Sequence, residues 1–158
     1  MSAEKISILV TGSLFMGKGY RALESSLIAM LRRATWEIII TTYRLSNGAN
    51  KLLDEIEQIL ARGIRVYLVV NNISEQPEDV VVRLQGLVQK YPKFKLIDFE
   101  KSTGFTLHAK VIIIDRKIVV VGSANLTWGG FVKNHELCVC IEGKIAAEIA
   151  YLLDPILS

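Results

Sequence analysis

The segment Trp36 to Tyr43, WEIIITTY, most narrows what this chain can fold into. Its apolar and β-branched residues run together with little alternation, so a strand made from them must be covered on both faces. Cover of that kind comes from helices packed on a sheet, and helical spacing flanks the segment. Tyr20 to Ala34 places Leu23, Leu27, Met30 and Leu31 on one face, with Arg32 and Arg33 near the end, where cations suit the helix dipole. Asn50 to Ala61 turns Leu52, Leu53, Ile56 and Leu60 inward and stops at Gly63. Glu78 to Lys90 and Lys144 to Leu153 are two further helices.

Further strands are predicted at Ile6 to Val10, Ile64 to Val70, Phe94 to Phe99, Leu107 to Ile114, Ile118 to Val121 and Glu136 to Ile141. The joint Asp115-Arg116-Lys117 reads as a hairpin, and Thr11 to Gly19, with three glycines, as a loop. Helices alternate with strands early and a hairpin comes late. The expectation is an α/β fold, a mixed β-sheet flanked by helices, in a single domain over residues 1–158.

Composition agrees with a globular chain. Apolar residues make up 51% of 158 and charged residues 22%, and Pro occurs only 3 times, which argues against a disordered tail or linker. Met1 to Val10, with Glu4 and Lys5, reads as a first strand rather than a signal peptide or membrane span. The formal charge of +3 permits an anionic partner without demanding one. Cys138 and Cys140 lie two apart on one strand, too close for a relaxed disulfide, and read as buried reduced thiols in a cytoplasmic protein.

The chemistry concentrates in LHAKVIIIDRKIVVVGSANLTWGGFVKNHELCVCIE, residues 107–142. His108-x-Lys110 is followed after four residues by Asp115, and after six more by Gly122-Ser123-x-Asn125. Glu136 comes eleven residues past Asn125. Six residue types at these offsets arise by chance on the order of once in 10⁵ to 10⁶ sequences, at average residue frequencies. The pattern resembles the HKD motif of the phospholipase D superfamily in its extended form. The order of strands and helices resembles one catalytic half of that family over nearly the full chain.

The residue types suit phosphodiester chemistry in their own right. Two apart on a strand, His108 and Lys110 project to one face. A neutral imidazole can attack phosphorus, while an adjacent ammonium holds the negative oxygens. Gly122 allows a tight chain reversal, and Ser123 and Asn125 beyond it offer further donors. Glu136 is expected to hydrogen-bond the other ring nitrogen of His108. Lys110 is expected to be a buried lysine on an apolar strand. Asp115 has the opposite parity and sits at a turn, so it is read as a structural member of the motif. His135 is read as structural or surface.

Cleavage through a phosphohistidine needs a nucleophile and an acid, and the acid later serves as base for water. The chain has only two histidines and no second His-x-Lys, so the resemblance implies a homodimer with the active site at its two-fold interface. One His108 is then neutral and the other charged, with activity highest near or somewhat below neutral pH. No cofactor and no metal is expected, because no convincing ligand cluster is present.

Gly12 to Gly19 nearly matches the P-loop G-x-x-x-x-G-K-[ST], but Gly19 stands where a hydroxyl should hold magnesium. It is read instead as a loop lining the approach to the site. Short single-motif members of the family look more like its nuclease branch. A DNA or RNA backbone is therefore the expected substrate. Arg44 and Lys133 are the foremost candidates to bind it, with Lys51, Lys93, Lys95 and Lys101 as further basic residues along its approach. The alternatives are a phospholipase or phosphatidyltransferase, although no amphipathic segment argues for membrane docking, and a non-catalytic dimeric nucleic-acid-binding module. The intact His108, Lys110, Ser123 and Asn125 weigh against the last.

Overall fold

The computed structural model describes residues 3–125 and 134–158. In chain order the elements are β1 (Lys5–Thr11), β2 (Arg21–Ala22), α1 (Leu23–Arg32), β3 (Glu37–Thr42), α2 (Asn50–Ala61), β4 (Arg65–Val70), α3 (Glu78–Lys90), β5 (Phe94–Asp98), α4 (Phe99–Thr103), β6 (Val111–Ile114), β7 (Ile118–Gly122), β8 (Glu136–Glu142) and α5 (Lys144–Leu157). The strands form one sheet in the order β2-β1-β8-β7-β6-β3-β4-β5. β3, β4 and β5 run parallel, and the pairs β3–β6, β6–β7, β7–β8 and β8–β1 are antiparallel. The sheet is therefore mixed and flanked by helices, as the alternation of patterns predicts.

β3 is buried along its whole length, which is why WEIIITTY lacks alternation. Ile38 and Ile40 pack under α1, α2 and α3 with Leu27, Leu52, Ile56 and Leu84. Ile39, on the other face, packs with Val69, Ile113 and Val119 against Ala146, Ala150 and Leu153 of α5. Each such aliphatic side chain, fully buried, stabilises the fold by about 1.5–3 kcal/mol. Three helices cover one face and α5 serves the other.

Several boundaries shift by one or two residues from expectation, and four differences matter here. Arg21 and Ala22 pair with Leu9 and Val10 as a short parallel strand, so α1 starts at Leu23 rather than Tyr20. β5 ends at Asp98, whose carboxylate caps α4 by accepting the Lys101 amide at 3.1 Å; Gly104, at φ 75°, closes that helix. α5 runs on to Leu157 through Pro155, which sits in the last turn, so that only the end of the helix loses an amide donor. β6 begins at Val111 instead of Leu107, with consequences for the site described below.

The β6–β7 hairpin turns on Asp115 and Arg116, at φ 52° and 53°, with Lys117 N–H returning to the Ile114 carbonyl at 3.0 Å. Asp115 pays back that backbone conformation. Its carboxylate accepts the amides of Thr35, Trp36 and Glu37 at 2.8–3.0 Å and the Thr35 hydroxyl at 2.7 Å. The hairpin is thereby tied to the start of β3. Partial burial raises the Asp115 carboxyl, but these hydrogen bonds outweigh it and hold the group below its ordinary value.

Asp115→Asn is expected to lower stability at pH 7 by about 1–3 kcal/mol, because the amide cannot accept all these donors. Since the folded carboxyl lies low, its contribution is complete above the unfolded-state value and is lost as pH falls through the folded one. Urea denaturation at pH 7 and near pH 3 should therefore show the gap between wild type and variant narrowing in acid. A gap that stays constant would contradict this role.

Candidate active site

Strand direction gathers the motif at one end of the sheet. β3 and β4 end there, β6 and β8 begin there, and β1 and β7 end there. Tyr43, residues 107–110, Ser123, Glu136 and the start of the Gly12–Gly19 loop consequently share that edge. The carboxyl ends of parallel strands are a common place for ligand sites in open α/β sheets.

His108 is exposed, and its ring lies 4.9 Å from the Tyr43 ring, tilted by 57°. Lys110 Nζ stands 3.3 and 3.4 Å from the two ring nitrogens and donates to the His108 carbonyl at 2.9 Å. Almost equally far from both nitrogens, the ammonium stands beside the ring as a positive charge rather than on one lone pair. Lys110 is half-buried rather than enclosed in a strand, because the chain leaves the β3–β6 ladder before reaching it. The lysine keeps its head at the surface beside the histidine.

Two side chains hold this segment where the ladder does not. The Thr41 hydroxyl accepts the Val111 amide at 3.1 Å and donates to the Ala109 carbonyl at 2.9 Å. Asn71 Oδ1 accepts the Leu107 amide at 2.6 Å. Tyr43, Thr41 and Asn71 were not among the residues singled out from sequence. Tyr43 carries a weak signal, an aromatic at the carboxyl end of a buried strand.

Ser123 follows β7 and is exposed. Its hydroxyl donates to the Glu136 carboxylate in a very short hydrogen bond and accepts the Leu137 amide at 3.1 Å. Within the chain, then, the Glu136 carboxylate is satisfied by Ser123 and not by the His108 ring, contrary to expectation: β8 pairs with β7, which carries Ser123, and β7 lies between β8 and β6. The Asn125 amide oxygen is buried and accepts no hydrogen bond from the described residues.

Gly122 does not serve a chain reversal. It is the last residue of β7, and a Cβ there would collide with the Leu137 carbonyl and approach Cys138 Cα to 2.6 Å. Glycine lets β8 come close enough for Ser123 to reach Glu136. Burial raises the Cys138 thiol, which keeps it protonated and unsuited to act as a competing nucleophile beside the site.

The other candidates are distributed unevenly. Asp115 lies at the opposite end of β6 from His108. Arg44 is exposed, with its guanidinium 5.4 Å from the Tyr43 ring centre, and so stands near the histidine. Lys51 pairs with Glu24. Lys93 and Lys95 sit at the amino end of β5, away from the site. Lys93 donates to the Gly63 carbonyl at 2.6 Å, and Lys95 lies over the Tyr67 ring. Lys101 is exposed on α4, and Lys133 falls outside the described residues. His135 Nε2 accepts the Leu14 amide at 3.1 Å and its ring meets Phe15 edge-on, so it fastens the Gly12–Gly19 loop to the start of β8. Gly12, at φ 95°, leaves room for that ring.

Residues 27–156 match the family model described as "Cardiolipin synthase, PLD-like domain". The chain is 33% identical over 113 residues to the virion nicking-joining enzyme of monkeypox virus, which covers 69% of this chain and 25% of that protein. It spans less than half the length of the curated relatives it matches first. Among solved structures it is similar to NucT from Helicobacter pylori, with a TM-score of 0.75 and 23% identity over 98% of this chain and 96% of that one. It is also similar to Nuc from Salmonella typhimurium, a phospholipase D family member, with a TM-score of 0.74 and 18% identity over 98% and 94% of the two chains. Fold and site together define a mixed α/β protein of the phospholipase D type. The chain belongs to the phospholipase D superfamily.

Gly122→Ala should separate β7 from β8 and break the Ser123–Glu136 pair. The expected outcome is a loss of about 1–3 kcal/mol of stability, from overpacking against backbone that has little room to yield, measured by denaturant unfolding. A stability unchanged within about 0.5 kcal/mol, the usual range for a surface substitution, would contradict the close approach.

Proposed function

We propose that this protein hydrolyses phosphodiesters through a phosphohistidine on His108, without a metal, as a homodimer acting on nucleic-acid backbone. The observation that carries the reading is the placement of the Lys110 ammonium against both ring nitrogens of an exposed histidine. A ring nitrogen of His108 attacks phosphorus and forms a P–N bond while the P–O bond to the leaving group breaks. A general acid gives its proton to the leaving oxygen, then takes one from water. That water attacks phosphorus, the P–N bond breaks and the imidazole is regenerated. Lys110, Ser123 and Asn125 supply the positive charge and donors that the phosphate oxygens need in the transition state, a task a metal performs elsewhere. Glu136 orients the Ser123 hydroxyl for which an incoming phosphate oxygen competes.

The acid must come from a second chain. His135, the other histidine, is committed to the Leu14 amide. A surface suited to pairing is available. Ile6 and Ile8 alternate with buried Leu9, and Leu137 with buried Cys138, so they point away from the three-helix face. Ile6 is 64% and Leu137 47% exposed, and Leu152 of α5 is 77% exposed. Leu137 follows Glu136 at the site's end of the sheet and Ile8 pairs with Val139 midway along it, so an apolar strip of this kind fits an isologous contact between two copies. His108 of one subunit then acts as nucleophile and His108 of the other as acid and base.

A nucleic-acid substrate is supported by the similarity to a nicking-joining enzyme and by the exposed Arg44 over the Tyr43 ring. The family description names a cardiolipin synthase, which keeps a lipid phosphodiester as the second reading. Among the described residues no helix is long and apolar enough to cross a membrane. The buried free thiols of Cys138 and Cys140 support a reducing, cytoplasmic setting.

Wild type and His108→Ala are to be incubated with plasmid, single-stranded DNA, RNA and phosphatidylcholine vesicles in EDTA. Nucleic-acid cleavage by wild type, with a loss of at least about 10³-fold in the variant, is the predicted result, on the scale of removing a nucleophile. Cleavage of lipid alone would reverse the substrate, and equal activity in His108→Ala would overturn the mechanism. Ile8→Glu should yield monomers by sedimentation and lose activity in parallel. Full activity in a monomer would exclude the shared site.

A further inference from the structure

We propose that Thr41 and Asn71 are positioning residues that set His108 and Lys110 in their reactive geometry in place of the β-ladder. The β3–β6 ladder ends at the Thr41–Val111 pair. Beyond it the chain does not continue beside β3. Leu107 instead reaches Asn71, which follows β4 on the far side of β3, so residues 107–110 cross the carboxyl end of β3. This crossing lays the His108 ring on Tyr43, the residue that follows β3 and Thr42.

Each end of the crossing is pinned by one side chain. At the Lys110 end, the Thr41 hydroxyl takes the Val111 amide and returns its own proton to the Ala109 carbonyl, bracketing Lys110 between two fixed backbone groups. At the His108 end, Asn71 takes the Leu107 amide. Both clamps are themselves immobile. Thr41 is 1% and Asn71 3% exposed. Asn71 is fixed through its amide to the Thr42 carbonyl at 3.1 Å, its carbonyl to the Glu100 amide at 2.7 Å, and its Nδ2 to the Glu100 carboxylate at 3.1 Å.

Buried polar side chains are kept where their hydrogen bonds hold something in place. Here they hold four residues that a longer strand would have aligned automatically. Leaving the ladder is what frees His108 and Lys110 from the sheet's in-out alternation and lets the ammonium fold against the ring. A displacement of about 1 Å at a reacting group is enough to cost roughly 100-fold in rate. Neither residue reaches a bound phosphate by this account; they act through His108 and Lys110.

The catalytic part of this proposal rests on the phosphodiesterase reading; the clamp itself can be tested without it. Thr41→Val keeps shape and removes the hydroxyl, Thr41→Ser restores it, and Asn71→Ala removes the second pin. All are checked for folding by circular dichroism and thermal melting. In wild type and Thr41→Ser, the Val111 amide should be slow to exchange with deuterium and the His108 ring should give one sharp set of NMR signals. In Thr41→Val the Val111 amide should exchange faster and the ring signals should shift or broaden, and in Asn71→Ala the same should hold with the Leu107 amide.

On bis-p-nitrophenyl phosphate, kcat should fall roughly 100-fold in Thr41→Val with KM within about twofold, and recover in Thr41→Ser. Unchanged His108 signals in a folded Thr41→Val overturn the clamp, whatever the activity. Moved signals with unchanged kcat overturn its catalytic role. A wild type inactive on every diester, with the signals moving as described, defeats the functional reading and leaves the clamp standing.

Discussion

The antiparallel register of β6 on β3 is the constraint on which the rest of this structure depends. It is fixed at one end by the Asp115 carboxylate, which gathers the amides of Thr35, Trp36 and Glu37. At the other end it stops where the Thr41 hydroxyl takes the Val111 amide. Between these points Ile112 and Ile114 face the three-helix core and Val111 and Ile113 face α5. A slip of one residue would exchange the two faces and move His108 with them. The two outer residues of the motif, His108 and Asp115, thus bracket one short strand. One works on the histidine end and the other anchors the turn end.

That division explains why the motif contains an aspartate at the opposite end of β6 from His108 and Lys110. Asp115 contributes by making the β6–β7 hairpin and the start of β3 one unit. Arg116 reinforces it, pairing with buried Glu37 at 2.9 Å and with Asp154 of α5 at 2.6–2.9 Å. The hairpin then carries β7 and Gly122 into close contact with β8, and this brings Ser123 to Glu136. The site residues hang from four neighbouring strands, β8, β7, β6 and β3, whose mutual positions are set in part by Asp115, Arg116 and Gly122.

Much of this was legible in the chain itself. The uninterrupted WEIIITTY run required a strand covered on both faces, and β3 is one. The spacing of His108, Lys110, Ser123 and Asn125 identified the family because fixed offsets from the ends of adjacent strands leave a fixed pattern in sequence. Three features were not legible. Thr41 and Asn71 act on backbone 70 and 36 residues away, and nothing in a β-branched residue or a post-strand asparagine announces such a partner. Glu136 was near the site as expected, yet its partner depends on which strand lies between β8 and β6, a matter of topology. β2 exists only because two residues pair with β1, which no local propensity encodes. α4 was readable in principle, from Asp98 as cap and Gly104 as stop.

On the proposed mechanism, the His108 of each chain completes its acid–base chemistry with the His108 of a second copy. Rapid-quench mass spectrometry of the enzyme mixed with a phosphodiester measures this most directly. The account predicts a phosphoryl adduct on the peptide containing His108, accumulating to about one per two chains, since within a pair one imidazole is nucleophile while the other is acid. Turnover with no adduct, or an adduct on any other residue, would contradict it.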